Sequence, residues 1–185
     1  MLATQKLGSI TGRGTRALGF VCSVCGEHHD ELMLDIRMGL PEPVFELSDA
    51  ERAERAELAE DSGIYRSADG RDHYYVRGLL EIPIPSLDRY FGYGAWIEVD
   101  GDSYDRIGAL WADERGREEP PFPGRLANEL APYDGTFGLP VMLQLREVEL
   151  LPAVELVETD HRLRGEQQNG ISEARAQELA AAVMH

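Results

Sequence analysis

Two cysteines and two histidines fall within residues 22–29, near the start of the chain. Cys22 and Cys25 have two residues between them, Gly26 follows directly, and His28 and His29 come next. In a Cys-x-x-Cys-Gly turn, the glycine takes a φ > 0 conformation while both thiolates and several backbone N–H groups face a common centre. This spacing predicts a zinc knuckle over residues 20–30.

A structural zinc ion prefers four ligands, so the two cysteines need partners. His29 lies four residues after Cys25 and can return to the same ion once the turn closes. His28 is the alternative, because adjacent residues on a strand point to opposite faces. We therefore predict His29 as the third ligand.

The fourth ligand is predicted to be His161. Asp160 beside it could orient the ring, as groups behind metal ligands commonly do. The alternatives are His73, on a predicted hairpin arm, and a carboxylate such as Asp30 or Asp160. The predicted metal ligands are thus Cys22, Cys25, His29 and His161.

Other interpretations of the cysteine pair remain open. It could be a redox dithiol or two plain buried cysteines, although no helix N-terminus follows that would lower a thiol pKa. With three protein ligands and a water, zinc could instead be catalytic, with Glu27, Glu81 or Asp160 as general base. The sequence lacks a His-Glu-x-x-His or deaminase-like signature, so we lean away from an enzyme.

The composition predicts a single domain of ordinary size. The chain has 185 residues, 43% of them hydrophobic and 28% charged. It has no apolar run near the ~20 residues that cross a bilayer, and no secretory signal. Two closely spaced cysteines do not make a disulfide framework, which favours a reducing cytoplasm.

Charge is distributed unevenly along the chain. Residues 1–19 carry Lys6, Arg13 and Arg16 and no acidic residue. The remaining 15 basic and 34 acidic residues give residues 20–185 a net charge of −19. Such a body repels phosphate backbones and anionic lipid, which argues against nucleic-acid and membrane-surface roles. The acidity either serves solubility or faces a basic protein partner.

The element pattern predicts a flexible tail over 1–19 and one α+β domain over 20–185, with a mostly antiparallel sheet and about three peripheral helices. Ser48 and Glu51 form a capping box for a helix that runs to Glu60. Asp69-Gly70 marks a hairpin turn. The other predicted elements include strands over 20–22, 31–36, 64–66, 73–84, 91–99 and 141–148, a helix over 104–114 capped by Asp102 or Ser103, and a helix over 173–184 capped by Ser172.

The chain also carries a series of short motifs over about residues 20–185. In order they are Phe20-x-Cys22-x-x-Cys25-Gly26-x-x-His29, Arg77-Gly78-x-Leu80-Glu81-Ile82-Pro83, Phe91-x-Tyr93-Gly94-x-Trp96, Glu119-Pro120-Pro121-x-x-Gly124, Thr159-Asp160-His161-x-Leu163 and Glu166-Gln167-x-x-Gly170-Ile171. This series resembles the uncharacterised bacterial family catalogued as domain of unknown function 2199. The resemblance implies a bacterial cytosolic protein without a known activity, with the four predicted ligands in the family pattern.

Two hypotheses follow from the sequence. The first is a zinc-stabilised, acidic protein-interaction or regulatory module, for instance an inhibitor of a basic partner. The alternative is a small zinc-dependent hydrolase-type enzyme with an open metal position. The oligomeric state is left open.

Overall fold

A computed structural model describes residues 20–21, 26–29, 32–157 and 159–184. The predicted flexible tail over 1–19, and Cys22 and Cys25 of the predicted zinc knuckle, lie outside the described residues. Within the described residues, no helix has the length and apolar character needed to cross a membrane.

The described residues form ten strands, five α-helices and two short 3₁₀ helices. The strands are β1 Phe20–Val21, β2 His28–His29, β3 Asp35–Arg37, β4 Ala56–Leu58, β5 Ser62–Arg66, β6 Asp72–Ile84, β7 Arg89–Val99, β8 Phe122–Leu126, β9 Pro140–Gln144 and β10 Ala153–Leu156. The helices are α1 Glu42–Phe45, α2 Asp49–Arg55, α3 Gly101–Leu110, α4 Arg162–Asn169 and α5 Glu173–Met184, with 3₁₀ turns at Pro85–Leu87 and Glu114–Glu118.

The sheet is organised around the long β6–β7 hairpin, which is in register from Tyr74↔Val99 to Ile84↔Arg89. Strands β8, β9 and β10 follow from β7 in antiparallel order, and β10 then pairs parallel with β6 at Ala153↔Leu79. These five strands close into a barrel, which removes the free edges that an open sheet would expose. β5 and β4 extend from β6, while β3 pairs parallel with β7.

The β6–β7 hairpin is buried on both faces. Alternate residues face the main core, which α3, α4 and α5 complete: Val76, Leu80, Ile82, Ile84, Phe91, Tyr93, Ala95, Ile97 and Val99 are all buried there. On the opposite face, Tyr75 and Trp96 join Val44, Tyr65 and Ala127 in a second, smaller cluster. Helix α1 and the β4–β5 arm cover part of that outer face, so large apolar side chains occur in both alternating sets of the hairpin.

The predicted α+β class and the mostly antiparallel sheet are confirmed, since among the described strands only β3–β7 and β6–β10 pair in parallel. The hairpin at Asp69-Gly70 is confirmed by the Arg66↔Asp72 pair. The capping box is also confirmed: Glu51 N–H donates to Ser48 Oγ, and the Glu51 carboxylate accepts from Ser48 N–H.

Three predictions about the helices were wrong. There are five α-helices in the described part of the chain, where about three were expected. Helix α2 ends at Arg55 because the next three residues pair with β5, so tertiary pairing overrides their helix propensity. Helix α3 starts at Gly101, and its cap is Asp100, whose Oδ1 accepts from Ser103 N–H at 2.8 Å.

Candidate functional site

The predicted zinc knuckle is flanked by a two-stranded ribbon. β1 pairs antiparallel with β2, with Phe20 opposite His29 and Val21 opposite His28. Gly26 has a φ of +75°, the conformation expected of the knuckle glycine. The backbone on both sides of the cysteine segment is therefore brought together. Cys22 and Cys25 lie outside the described residues, as does the side chain of His29, and their role as ligands stays a prediction.

His161 lies at the N-cap of α4. Its Nδ1 accepts a hydrogen bond from Leu163 N–H at 3.1 Å, so Nε2 carries the proton and donates to Asp134 O at 2.9 Å. Both ring nitrogens are thus engaged, and coordination of zinc by His161 would require one of these bonds to break. The assignment of His161 as fourth ligand also stays a prediction.

The alternative ligand His73 lies on β6, as expected. Its Nδ1 is 2.7 Å from Glu98 Oε1, and its ring stacks on Tyr65 with 5.8 Å between centroids. Among the residues that the structure describes, no group of three or more His, Cys, Asp or Glu side chains is arranged to hold a metal.

Arg77 is a buried cation that the sequence analysis named only within a motif. It lies in the middle of β6 and is 3% exposed. Its guanidinium lies 4.3 Å from the Trp96 ring centroid, and its Nε is 3.1 Å from Asp61 Oδ1. It donates to three backbone carbonyls, those of Met38, Glu60 and Gly94. Arg77 therefore fastens β7, the end of β3 and the β4–β5 turn to β6.

The surroundings of Arg77 shift its titration and that of Asp61. Burial lowers the pKa of the Arg77 guanidinium, and nearby Arg37 lowers it further. Burial also raises the pKa of the Asp61 carboxyl, against the opposing effect of Arg77 and Arg37. With its donors committed to internal partners, Arg77 is a structural clamp.

A second network joins the C-terminal helices to the barrel. The Tyr133 hydroxyl donates to Glu166 of α4, and Arg175 of α5 lies 3.1 Å from Glu166 Oε1. Burial alone would raise the pKa of Glu166, but the hydrogen bond from Tyr133 and the charge of Arg175 outweigh burial and lower it. This motif glutamate positions α4 and α5.

Gln167 occupies the join between β6 and β10, which we call the barrel seam. Its Nε2 donates to Val154 O at 2.8 Å, and its Oε1 accepts from Leu156 N–H at 2.9 Å. Beside it lies a cleft of about 440 Å³. The residues lining this seam cleft are Leu79, Glu81, Pro83, Ala153, Val154, Glu155, Arg164, Gln167 and Gln168.

Two exposed phenylalanines lie around Glu129 on another part of the surface. Phe45, at the end of α1, is 67% exposed, and Phe137 is 49% exposed. Glu42 is one helical turn before Phe45, and its Oε2 accepts from Glu129 N–H at 3.4 Å. The Glu129 carboxylate in turn accepts from Phe137 N–H at 2.7 Å. We call Phe45, Phe137, Glu42, Glu46 and Glu129 the acidic aromatic patch.

The carboxylate of Glu129 is held firmly in this patch. Besides the Phe137 N–H, it accepts from Gly135 N–H at 2.7 Å and from the Thr136 hydroxyl at 2.8 Å. Burial alone would raise the pKa of Glu129, but these hydrogen bonds outweigh it and lower the pKa. Glu129 therefore stays charged and fixes the loop that presents Phe137.

The fold and these sites define the class of the protein: an α+β domain on a closed five-stranded barrel, with internal arginine clamps and an acidic surface. The profile of the family described as "Uncharacterized protein conserved in bacteria (DUF2199)" matches residues 21–171, so the chain belongs to this family. No curated protein and no solved structure matches the chain significantly.

Sequence reasoning missed two of the features that organise these sites. The cue for Arg77 was present, because a lone cation inside an apolar strand must find partners when the strand is buried on both faces. The only local cue for Gln167 was its place in a motif, since α4 is almost entirely polar.

Proposed function

We propose that this protein is an acidic interaction module that binds a basic protein partner through the acidic aromatic patch. The observation that carries the proposal is a pair of exposed phenylalanines joined by the Glu42–Glu129 contact: Phe45 follows Glu42 in α1, and Phe137 N–H donates to Glu129. Aromatic side chains are enriched among residues that dominate binding energies, especially where a polar rim surrounds them.

The charge around the patch favours a cationic partner. Residues 42–60 contain seven carboxylates and two arginines, Arg52 and Arg55. Arg52 donates to the carbonyls of Val44, Phe45 and Leu47, and Arg55 donates to the Tyr65 hydroxyl and Arg66 O. Asp49 pairs with Arg52 and Glu60 pairs with Arg37, so the remaining carboxylates of this segment are the charges available to a partner. Such a field speeds association with basic partners and opposes nucleic acid.

Our proposal includes a structural zinc bound by Cys22, Cys25 and His29, with His161, His73 or a carboxylate as fourth ligand. The β1–β2 register and the φ of Gly26 support it, because they draw the ends of the cysteine segment together. Reduced thiolates that bind zinc suit a cytoplasmic protein. In this proposal zinc anchors the N-terminal segment and performs no chemistry.

The patch can be tested by calorimetry with an amphipathic Lys–Leu peptide as probe and a Glu–Leu peptide as its charge-reversed control. We expect only the Lys–Leu peptide to bind, with affinity falling about tenfold or more in F45S/F137S, the loss typical of central aromatic anchors. The matched control is Leu150→Ser, which removes an apolar side chain that is 47% exposed outside the patch. Binding that survives F45S/F137S, or is lost equally in L150S, would refute the proposal.

The zinc site requires a separate measurement. Elemental analysis of protein purified without added metal should give about one zinc per chain, and Cys22→Ser or Cys25→Ser should remove it and lower thermal stability. His161→Gln and His73→Gln then identify the fourth ligand by loss of zinc. Wild-type protein without bound metal would contradict the zinc proposal. An exchangeable water on the metal would favour the hydrolase alternative instead.

A further inference from the structure

The seam cleft exists because one rung of the β6–β10 ladder is replaced by a side chain. Leu79 N–H donates to Pro152 O at 2.8 Å, and the strands pair at Ala153↔Leu79. If the parallel pairing continued, Val154 C=O and Leu156 N–H would form hydrogen bonds with the backbone of Glu81. Gln167 takes both of these groups with its carboxamide, so β6 and β10 separate beyond Leu79.

Among the described residues around the seam cleft, Arg146 pairs with a carboxylate and Arg164 does not. Glu81 Oε1 accepts from Arg146 Nη1 at 3.1 Å, and Arg146 Nε is held by Leu151 O at 2.7 Å. Arg146 and Glu81 therefore neutralise each other at one end of the cleft. Glu155 is exposed at the rim, and Arg164 lines the wall formed by α4.

Arg164 has an unusual shortage of acceptors. Its Nε is shielded from solvent and has no hydrogen-bond partner among the residues that the structure describes. With the Gln168 amide turned so that its oxygen faces the guanidinium, Nη1 and Nη2 lie 3.1 and 2.7 Å from that oxygen. A shielded N–H without an acceptor is costly, because in the unfolded chain it would bond to water. Gln168 is exposed, so its side chain can turn away without disturbing the core.

We propose that the seam cleft binds a small carboxylic acid, with its carboxylate on Arg164 and its apolar part against the seam. The Nη1–H and Nη2–H groups at the end of an arginine form a planar fork that matches the two oxygens of a carboxylate. Leu79, Pro83 and Ala153 supply an apolar wall for a short hydrocarbon tail, and about 440 Å³ accommodates such a molecule. The carboxylate replaces the Gln168 oxygen on Nη1 and Nη2, and it brings a negative charge to a guanidinium whose shielded Nε has no acceptor among the described residues.

The test follows the arginine Nε–H signals by ¹⁵N NMR during titration with butyrate, with butyramide and sodium chloride as parallel controls. We expect a saturable shift of the Arg164 signal with butyrate only, at a Kd of about 1–10 mM. Arg164→Lys keeps the charge but loses the fork, so it should weaken binding about tenfold. Gln168→Ala removes the competing oxygen and should tighten binding.

Arg162→Gln is the matched control on the same helix, because Arg162 pairs with Glu166 at 2.7 Å and does not line the cleft. It should leave butyrate binding unchanged. Equal shifts with butyramide or chloride, or full binding in R164K, would overturn the proposal. The Q168A variant is an independent test that does not require R164K to fold. Weaker butyrate binding in Q168A would contradict the proposal that the carboxylate displaces the Gln168 oxygen.

Discussion

Replacing Arg77 by methionine should be among the most destabilising single changes in this chain. Methionine keeps the unbranched apolar stem but removes every donor of the guanidinium. The carbonyls of Met38, Glu60 and Gly94 then lose their donor, and Asp61 loses its counter-charge. The stacking of the guanidinium on Trp96 is lost as well.

The expected cost can be bounded from these contacts. Removing one partner of a buried ion pair costs about 3–5 kcal/mol. The Asp61 side chain is 30% exposed and can partly rehydrate, which places R77M near the lower end, at about 3 kcal/mol. For a chain of this length, 1 kcal/mol corresponds to about 2–4 °C, so the Tm should fall by roughly 6–12 °C.

Urea denaturation followed by circular dichroism measures this cost. Arg77→Lys should lose roughly 2 kcal/mol, because an ammonium keeps the charge but not the planar fork or the stacking. Asp61→Asn should cost less than R77M, since burial already disfavours its charged form. In the R77M background, D61N should be close to neutral, because the aspartate no longer has a counter-charge to lose. A cost below about 1 kcal/mol for R77M at unchanged m-value would refute the clamp interpretation.

Three further predictions test the supports of the barrel. Gly170→Ala should cost about 1–3 kcal/mol in urea denaturation, because φ is +74° there and the new Cβ would lie 2.9 Å from Pro83 O. A neutral result would contradict this close contact between residue 170 and Pro83 O. Gln167→Ala should lower the free energy of unfolding by about 2 kcal/mol, because it leaves two β10 backbone groups unpaired. The same change at the exposed Gln168 should cost less than about 0.5 kcal/mol. Equal costs would argue that Gln167 does not replace a pair of strand hydrogen bonds. Glu129→Gln should flatten the acid side of the stability–pH curve. The pKa of Glu129 is lowered in the folded state, so its contribution to stability is complete above the unfolded-state pKa of about 4.3 and is lost as pH falls through the folded-state pKa. An unchanged slope in thermal melts between pH 3 and 6 would count against this prediction.

Local features of the chain were accessible from the sequence because short-range rules govern them. The Ser48–Glu51 capping box and the Asp69-Gly70 turn satisfy their hydrogen bonds within a few residues. The dense aromatic residues along 91–99 likewise indicated a strand, and β7 covers them. The Cys-x-x-Cys-Gly spacing is equally local, but the zinc knuckle that it indicates stays a prediction because both cysteines lie outside the described residues.

Tertiary structure decided what depends on groups far apart in the chain. The closure of the barrel joins Leu79 to Ala153, and loop-closure entropy, not local propensity, opposes such pairing. The pairing of β4 with β5 ended α2 early, although the sequence there favours a longer helix. Motif positions such as Arg77 and Gln167 became interpretable only once distant carbonyls and strands surrounded them. The amino-acid sequence thus determined turns, caps and alternation, while the fold decided which polar side chains are clamps, because burial sets the cost of leaving them unpaired.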